Sequence, residues 1–134
     1  MLRYLLDTNL CVRVLRDRPA GLRAQLVERS NTCCISTVVE FELLAGAAKS
    51  ARPDHNRAEI ARLLARIEVL PFDTAAADHA ADIREDLRRR GMPIGQYDTL
   101  IAGHARSRGL IVVTGNLGEF RRVDGLRCED WLDA

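Results

Sequence analysis

The chain has 134 residues, 47% hydrophobic and 29% charged, with a net charge of +1. That length and balance predict a single globular domain over residues 1–134 with a buried core. They argue against a disordered chain, and no apolar run approaches the roughly 20 residues of a membrane helix. No basic segment and longer apolar stretch precede the first strand, so the expected location is the cytoplasm. The cysteines, Cys11, Cys33, Cys34 and Cys128, form no C-x-x-C pair, which speaks against zinc and against a disulfide framework. Lys49 is the one lysine; the remaining basic residues are arginines, the better phosphate forks.

The apolar Tyr4-Leu5-Leu6 reads as a strand that runs straight into Asp7-Thr8-Asn9. Leu10, Val14 and Leu15 recur at helical spacing up to Arg18-Pro19, and a second short helix is expected from Pro19 to about Glu28. After a turn at Ser30-Asn31, Thr32 to Ser36 is a β-type run. Ser36 or Thr37 is placed to cap a helix to about Ala48, with Glu40 near the capping-box position. Ala51 to Asp54 breaks it. Ile60, Leu63, Leu64 and Ile67 mark an amphipathic helix over 56–67, and Glu68 to Phe72 reads as a third strand. Asp73 or Thr74 caps a long helix to about Arg90, stopped by Gly91. Met92 to Gly95 is a loop, then a helix runs from Gln96 to Ser107 and ends at Gly109. Leu110 to Val113 is an uninterrupted apolar run, the pattern of a strand buried on both faces. A short helix at Leu117 to Phe120 and an edge strand at Leu126 to Cys128 complete the chain. The alternation of strands and helices predicts an α/β fold with a central, mostly parallel sheet of four to five strands.

In such sheets ligands bind beyond the carboxyl ends of the strands, where Asp7 falls. Glu42 has Val38, Val39, Ala45 and Gly46 three and four positions away, so it faces inward on its helix. A charge there needs a partner or a metal; a salt bridge to arginine is the plainer alternative. Asp98 stands in the first turn of a helix, where an acid also serves the helix dipole, and the small, apolar Ile101-Ala102-Gly103 follows it. Thr114 occupies at the end of the apolar strand the place that Asp7 occupies at the first, with Asn116 and Glu119 just beyond. The stripe Asp78, Asp82, Asp86 reads as a solvated face, and His55, His79 and His104 match neither zinc spacing nor a nucleophile–base pair. Carboxylates without histidine or thiolate suit Mg²⁺ or Mn²⁺. An ion of that kind activates water and neutralises phosphate charge, the logic of a phosphodiester hydrolase.

The residues Tyr4-Leu5-Leu6-Asp7-Thr8-Asn9, Ile35-Ser36, Glu42-Leu43, Gly46, Pro93-Ile94-Gly95, Asp98, Leu100-Ile101-Ala102, Val113-Thr114, Asn116, Glu119-Phe120, Val123 and Gly125-Leu126 resemble, in order and spacing over essentially the whole chain, PIN-domain ribonucleases of the VapC toxin type. The resemblance implies a three-layer α/β/α fold and Mg²⁺- or Mn²⁺-dependent endoribonuclease activity, with tRNA the expected substrate and the anticodon loop of initiator tRNA one expected target. It implies a VapB-type antitoxin as partner, and a homodimer or a hetero-oligomer with that antitoxin. By position, Asp7, Glu42, Asp98 and Glu119 become the catalytic acids, with Asp7 and Asp98 on the metal and Glu42 and Glu119 reaching it directly or through water. Many relatives carry Asp where this chain has Asn116, so Glu119 is expected to complete the site and one metal to suffice. Thr8, Asn9, Ser36, Thr114 and Asn116 are expected in support, and Arg13, Arg16, Arg121 and Arg122 are candidates for RNA contact. Two other readings stay open at this point: a non-catalytic acidic pocket that grips a partner's arginine, and a metal-dependent phosphatase, although the second Asp such phosphatases carry is Asn9 here.

Overall fold

The structure is a computed structural model, and it describes residues 1–132. Five strands form one sheet: β1 (Tyr4–Leu6), β2 (Cys33–Ser36), β3 (Glu68–Leu70), β4 (Ile111–Val113) and β5 (Cys128–Glu129). Their order is β3-β2-β1-β4-β5, and every pairing is parallel. Seven helices flank the sheet: α1 (Thr8–Arg16), α2 (Leu22–Arg29), α3 (Thr37–Ala48), α4 (Pro53–Leu64), α5 (Thr74–Arg89), α6 (Gln96–Arg108) and α7 (Leu117–Phe120). This is the expected three-layer α/β/α arrangement. Leu5, Leu6, Ile35, Val112 and Phe120 lie fully buried between the layers.

The order of the strands creates the place for a site. The chain builds outward from β1 through β2 to β3, then returns to the other side of β1 with β4 and β5. The sheet therefore switches direction between β1 and β4, where the connections leaving the two strands diverge and open a crevice. Register aligns the two exits: Leu6 pairs with Val113, so Asp7 and Thr114 leave the sheet side by side.

Local chemistry sets the helix starts. Asp7, Ser36 and Asp73 are the N-caps of α1, α3 and α5, each accepting a backbone N–H from the first turn. Because Ser36 and not Thr37 is the cap of α3, Glu40 stands one position too far along to close a capping box. Two helix starts differ from the sequence expectation. Gly21, at φ +94°, immediately precedes α2, so the helix begins at Leu22 and not at Pro19. Pro53 does not break the chain but opens α4 from its first turn, where its missing N–H has no intrahelical partner to lose, so that helix spans Pro53–Leu64 and not 56–67. β3 stops at Leu70 because Pro71 has no N–H to give the ladder. The last strand begins two residues later than expected and ends one later, at Cys128–Glu129.

The tightest packing joins α5 to α6. A Cβ on Gly103 would sit 2.5 Å from the Ala80 nitrogen and 2.6 Å from its Cα, so only glycine allows the two backbones to approach this closely. That contact seats α6, the helix that carries Asp98. His104, next along, is fully buried edge-on to Phe72, and neither ring nitrogen has a hydrogen-bond partner. Among the described residues no helix is long and apolar enough to cross a membrane.

Candidate active site

Asp7 is 2% exposed, a depth at which a carboxylate is costly unless hydrogen-bonded. Both oxygens are bonded. Oδ1 accepts the Leu10 N–H at 2.8 Å, as N-cap of α1. Oδ2 accepts the Thr114 hydroxyl at 2.5 Å. Thr114 is fully buried and in turn accepts the Asn116 N–H at 2.8 Å. One hydroxyl thus ties the end of β1 to the loop after β4. Burial raises the Asp7 carboxyl above the ordinary range; the bonds from Thr114 and Leu10 oppose that, and the charges of Glu42 and Asp130 add to it.

Glu42 comes from the middle of α3 and accepts the Thr8 hydroxyl at 2.5 Å. It makes no salt bridge among the described residues, so the arginine-paired alternative is not what the structure shows. Asp98 stands in the first turn of α6 and Glu119 in α7. Burial pushes the Asp98 carboxyl up to about 7, helped by a hydrogen-bonding contact with Glu119 and by the charges of Glu119, Asp7 and Glu42. Asp98 therefore lies close enough to feel the charges of the other three acids placed by sequence, although the four come from separate elements. Gly95 lies under Asp98; a Cβ there would be 3.3 Å from Oδ2.

The supporting residues divide. Thr8 and Thr114 orient Glu42 and Asp7. Ser36 is buried as the cap of α3 and acts on the helix that carries Glu42. Asn116 contributes backbone bonds at the start of α7, and Asn9 is exposed. Among the arginines, Arg13 and Arg121 are exposed. Arg16 lines a groove of about 550 Å³ that also takes in Val12, Glu42, Gly46, Asn56 and Ile60. Arg122 is half-buried: its Nη1 donates to the Pro93 carbonyl at 3.0 Å, while its own carbonyl accepts from Arg90. Of the aspartates read as a solvated stripe, Asp78 and Asp82 are exposed, with Asp82 paired to Arg106 and the half-buried Asp86 to Arg90. Sequence reading missed Asp130, whose charge reaches Asp7. The available signal was topological, since Asp130 follows β5 as Asp7 follows β1.

The donors are all oxygen, which suits a hard divalent cation. Among the described residues, no three histidine, cysteine or acidic side chains lie close enough together to hold a metal ion between them. A small set of direct carboxylates with the remaining acids acting through water meets Mg²⁺, which keeps much of its hydration. The mutual repulsion that raises Asp98 is a second mark of fit, because a bound cation would relieve it.

Comparison with known proteins agrees with this geometry. Residues 4–126 match the PIN domain family. The chain is 50% identical to the tRNA(fMet)-specific endonuclease VapC of Shigella flexneri over 131 residues, covering 98% of this chain and 99% of that one. It is 40% identical over 132 residues to ribonuclease VapC2 of Haemophilus influenzae, covering 98% of this chain and 100% of that protein. Among solved structures, DNA-bound VapBC from Salmonella typhimurium superposes with a TM-score of 0.93 at 46% identity, covering 98% of this chain and 99% of the other. With its parallel five-stranded sheet, its acids at the switch point and this similarity along nearly its full length, the chain belongs to the PIN-domain family, in its VapC branch.

Proposed function

We propose that this protein is the toxin of a type II toxin–antitoxin pair and a Mg²⁺- or Mn²⁺-dependent endoribonuclease that hydrolyses phosphodiester bonds of tRNA. The observation that carries the reading is the meeting of Asp7, Glu42, Asp98 and Glu119 at the β1–β4 switch point, close enough that the other three raise the Asp98 carboxyl. The substrate class rests on relatives named as tRNA(fMet)-specific endonucleases, which makes the anticodon loop of initiator tRNA the first target to examine. The partner rests on structural neighbours that are VapBC complexes. A VapB-type antitoxin is the expected inhibitor, within a homodimer or a hetero-oligomer.

Asp7 and Asp98 would hold the cation, with Glu42 and Glu119 acting directly or through water. When bound, it supplies Lewis-acid polarisation and neutralises charge on the phosphate. The protein's own contribution is orientation and proton handling. Thr114 and the Leu10 N–H fix both oxygens of Asp7, and Thr8 fixes Glu42. Without a cation, burial and Glu119 push the Asp98 carboxyl up to about 7, so Asp98 would give up its proton as the ion binds, and the protein would take the ion more readily as pH rises through that range.

The test is to incubate purified protein with total tRNA, with Mg²⁺, Mn²⁺ or a chelator, and to sequence the ends produced. A defined cut that needs the divalent ion and disappears in Asp7→Asn and Glu42→Gln supports the proposal. Equal cleavage by those variants refutes it. Binding of an antitoxin by a protein that never cuts RNA would favour the acidic-pocket reading.

A further inference from the structure

The chain has six aromatic residues, and among the described residues only Phe41 and Tyr97 are exposed, at 54% and 40%. They touch each other, with ring centroids 5.9 Å apart and planes tilted by 43°. Each precedes a site acid by one residue, Glu42 on α3 and Asp98 on α6. Two large rings left in water are a standing cost of exposed apolar surface, and here both lie on the seam between the two helices that present the acids.

We propose that Phe41 and Tyr97 form a stacking platform for one unpaired nucleobase next to the phosphate that is cut. The inference rests on the ribonuclease reading above. The site brings together four carboxylates, with Asp130 nearby, and this negative field repels an RNA backbone. Affinity must therefore come partly from a source without charge. Stacking of a base on an aromatic ring is such a source, and it tolerates any sequence because every base has a π-face. It also demands that the base be out of the helix, which restricts cleavage to loops and single strands. The platform thus holds a nucleotide that flanks the reacting phosphate and explains why the site would act on unpaired RNA. Its members are positioning residues: they touch the substrate away from the reacting atoms.

The experiment compares wild type with Phe41→Ala, Tyr97→Ala and Tyr97→Phe on a synthetic stem–loop containing the wild-type cut, and on the same RNA made abasic at each flanking nucleotide in turn. The alanine variants should raise KM by about tenfold and change kcat by less than about twofold, as expected for an interaction made equally before and during reaction. Tyr97→Phe should behave as wild type. One abasic position should cost wild type a similar factor in KM and cost Tyr97→Ala nothing further. An unchanged KM, or abasic and alanine losses that multiply, overturns the platform while leaving the nuclease intact. Dissociation of the alanine variants in sedimentation velocity, with activity restored at higher protein concentration, overturns it by assigning the pair to a second copy of the chain. Failure of wild type to cut, or cutting that persists in Asp7→Asn, refutes the ribonuclease reading and this proposal with it.

Discussion

Thr114→Val tests the link between β1 and the loop after β4. Valine keeps the shape of threonine but removes the hydroxyl, the donor to Asp7 Oδ2 at 2.5 Å and the acceptor of the Asn116 N–H at 2.8 Å. Thr114 is fully buried, so water does not replace its bond to Asp7, while the half-buried Asn116 N–H loses its partner. A hydrogen bond to a charged group is worth about 1.5–3 kcal/mol, and an orphaned buried N–H costs about 1–3 kcal/mol. Asp7 keeps its bond from Leu10 and can relax by taking up a proton, so the combined loss should be about 2–4 kcal/mol. A chain of 134 residues unfolds with an entropy of roughly 0.28 kcal/mol/K, so Tm should fall by roughly 7–14 °C. The assay is thermal denaturation followed by circular dichroism at pH 8 without divalent ions. Thr114→Ser is the control. It keeps the hydroxyl and removes one buried methyl, a loss of about 1 kcal/mol. If the valine variant melts with the serine variant, or above wild type, the hydroxyl does not hold Asp7 in place and the reasoning fails.

Three further outcomes follow from other contacts. Gly103→Ala drives a Cβ into the Ala80 backbone, so α5 and α6 must separate; it should destabilise by about 3 kcal/mol, at the upper end for overpacking, measurable by urea denaturation. His104 is buried without a partner, and burial holds its imidazole below the ordinary 6.5. The unfolded chain therefore binds a proton that the folded chain refuses, and stability is lost as pH falls below about 6.5, by up to about 1.36 kcal/mol per pH unit. His104→Leu should flatten that loss between pH 7 and pH 5. Asp7 and Asp98 titrate in both proteins, so the difference between the two pH profiles isolates the histidine; parallel profiles would refute the assignment. Glu119→Gln removes a carboxylate that raises Asp98. The metal-free variant should melt above wild type at pH 8, and Mg²⁺ should raise its Tm less than it raises that of wild type. An equal Mg²⁺ response would exclude Glu119 from the ion's surroundings.

The strands were legible where burial left no choice. Leu110 to Val113 and Tyr4 to Leu6 are apolar without alternation because both faces of the central strands are covered, and this placed β1 and β4 and the acid after β1. Capping chemistry was equally local: Asp7, Ser36 and Asp73 announce their helices through side chains that bond the first turn. Helix starts at prolines were misjudged, because the same residue that breaks a helix interior opens one at Pro53, and the left-handed Gly21 defers α2 past Pro19. Glu42 was identified from its apolar neighbours, but its bond to Thr8 joins residues 34 apart and leaves no local trace. Thr114 was placed by topological analogy with Asp7; its bond to that residue spans 107 positions. The Phe41–Tyr97 pair was invisible for a different reason. α3 is apolar around most of its circumference, so its sequence does not say that Phe41 faces water. Arg122, a candidate for RNA contact from sequence, donates Nη1 to the Pro93 carbonyl 29 positions away, a bond that leaves no local trace.

The proposed ribonuclease depends on the four carboxylates and on a divalent ion. The most direct measurement is the rate at which purified protein cuts initiator tRNA as Mg²⁺ is titrated, for wild type and for Asp7→Asn. Asparagine keeps the acceptor for the Leu10 N–H and so should preserve the fold. The expected result is cleavage by wild type at one position, rising with Mg²⁺ and abolished by chelator, with no cleavage by Asp7→Asn although that variant still folds cooperatively. Cleavage at the same rate by both proteins, or by wild type in the presence of chelator, would contradict the account.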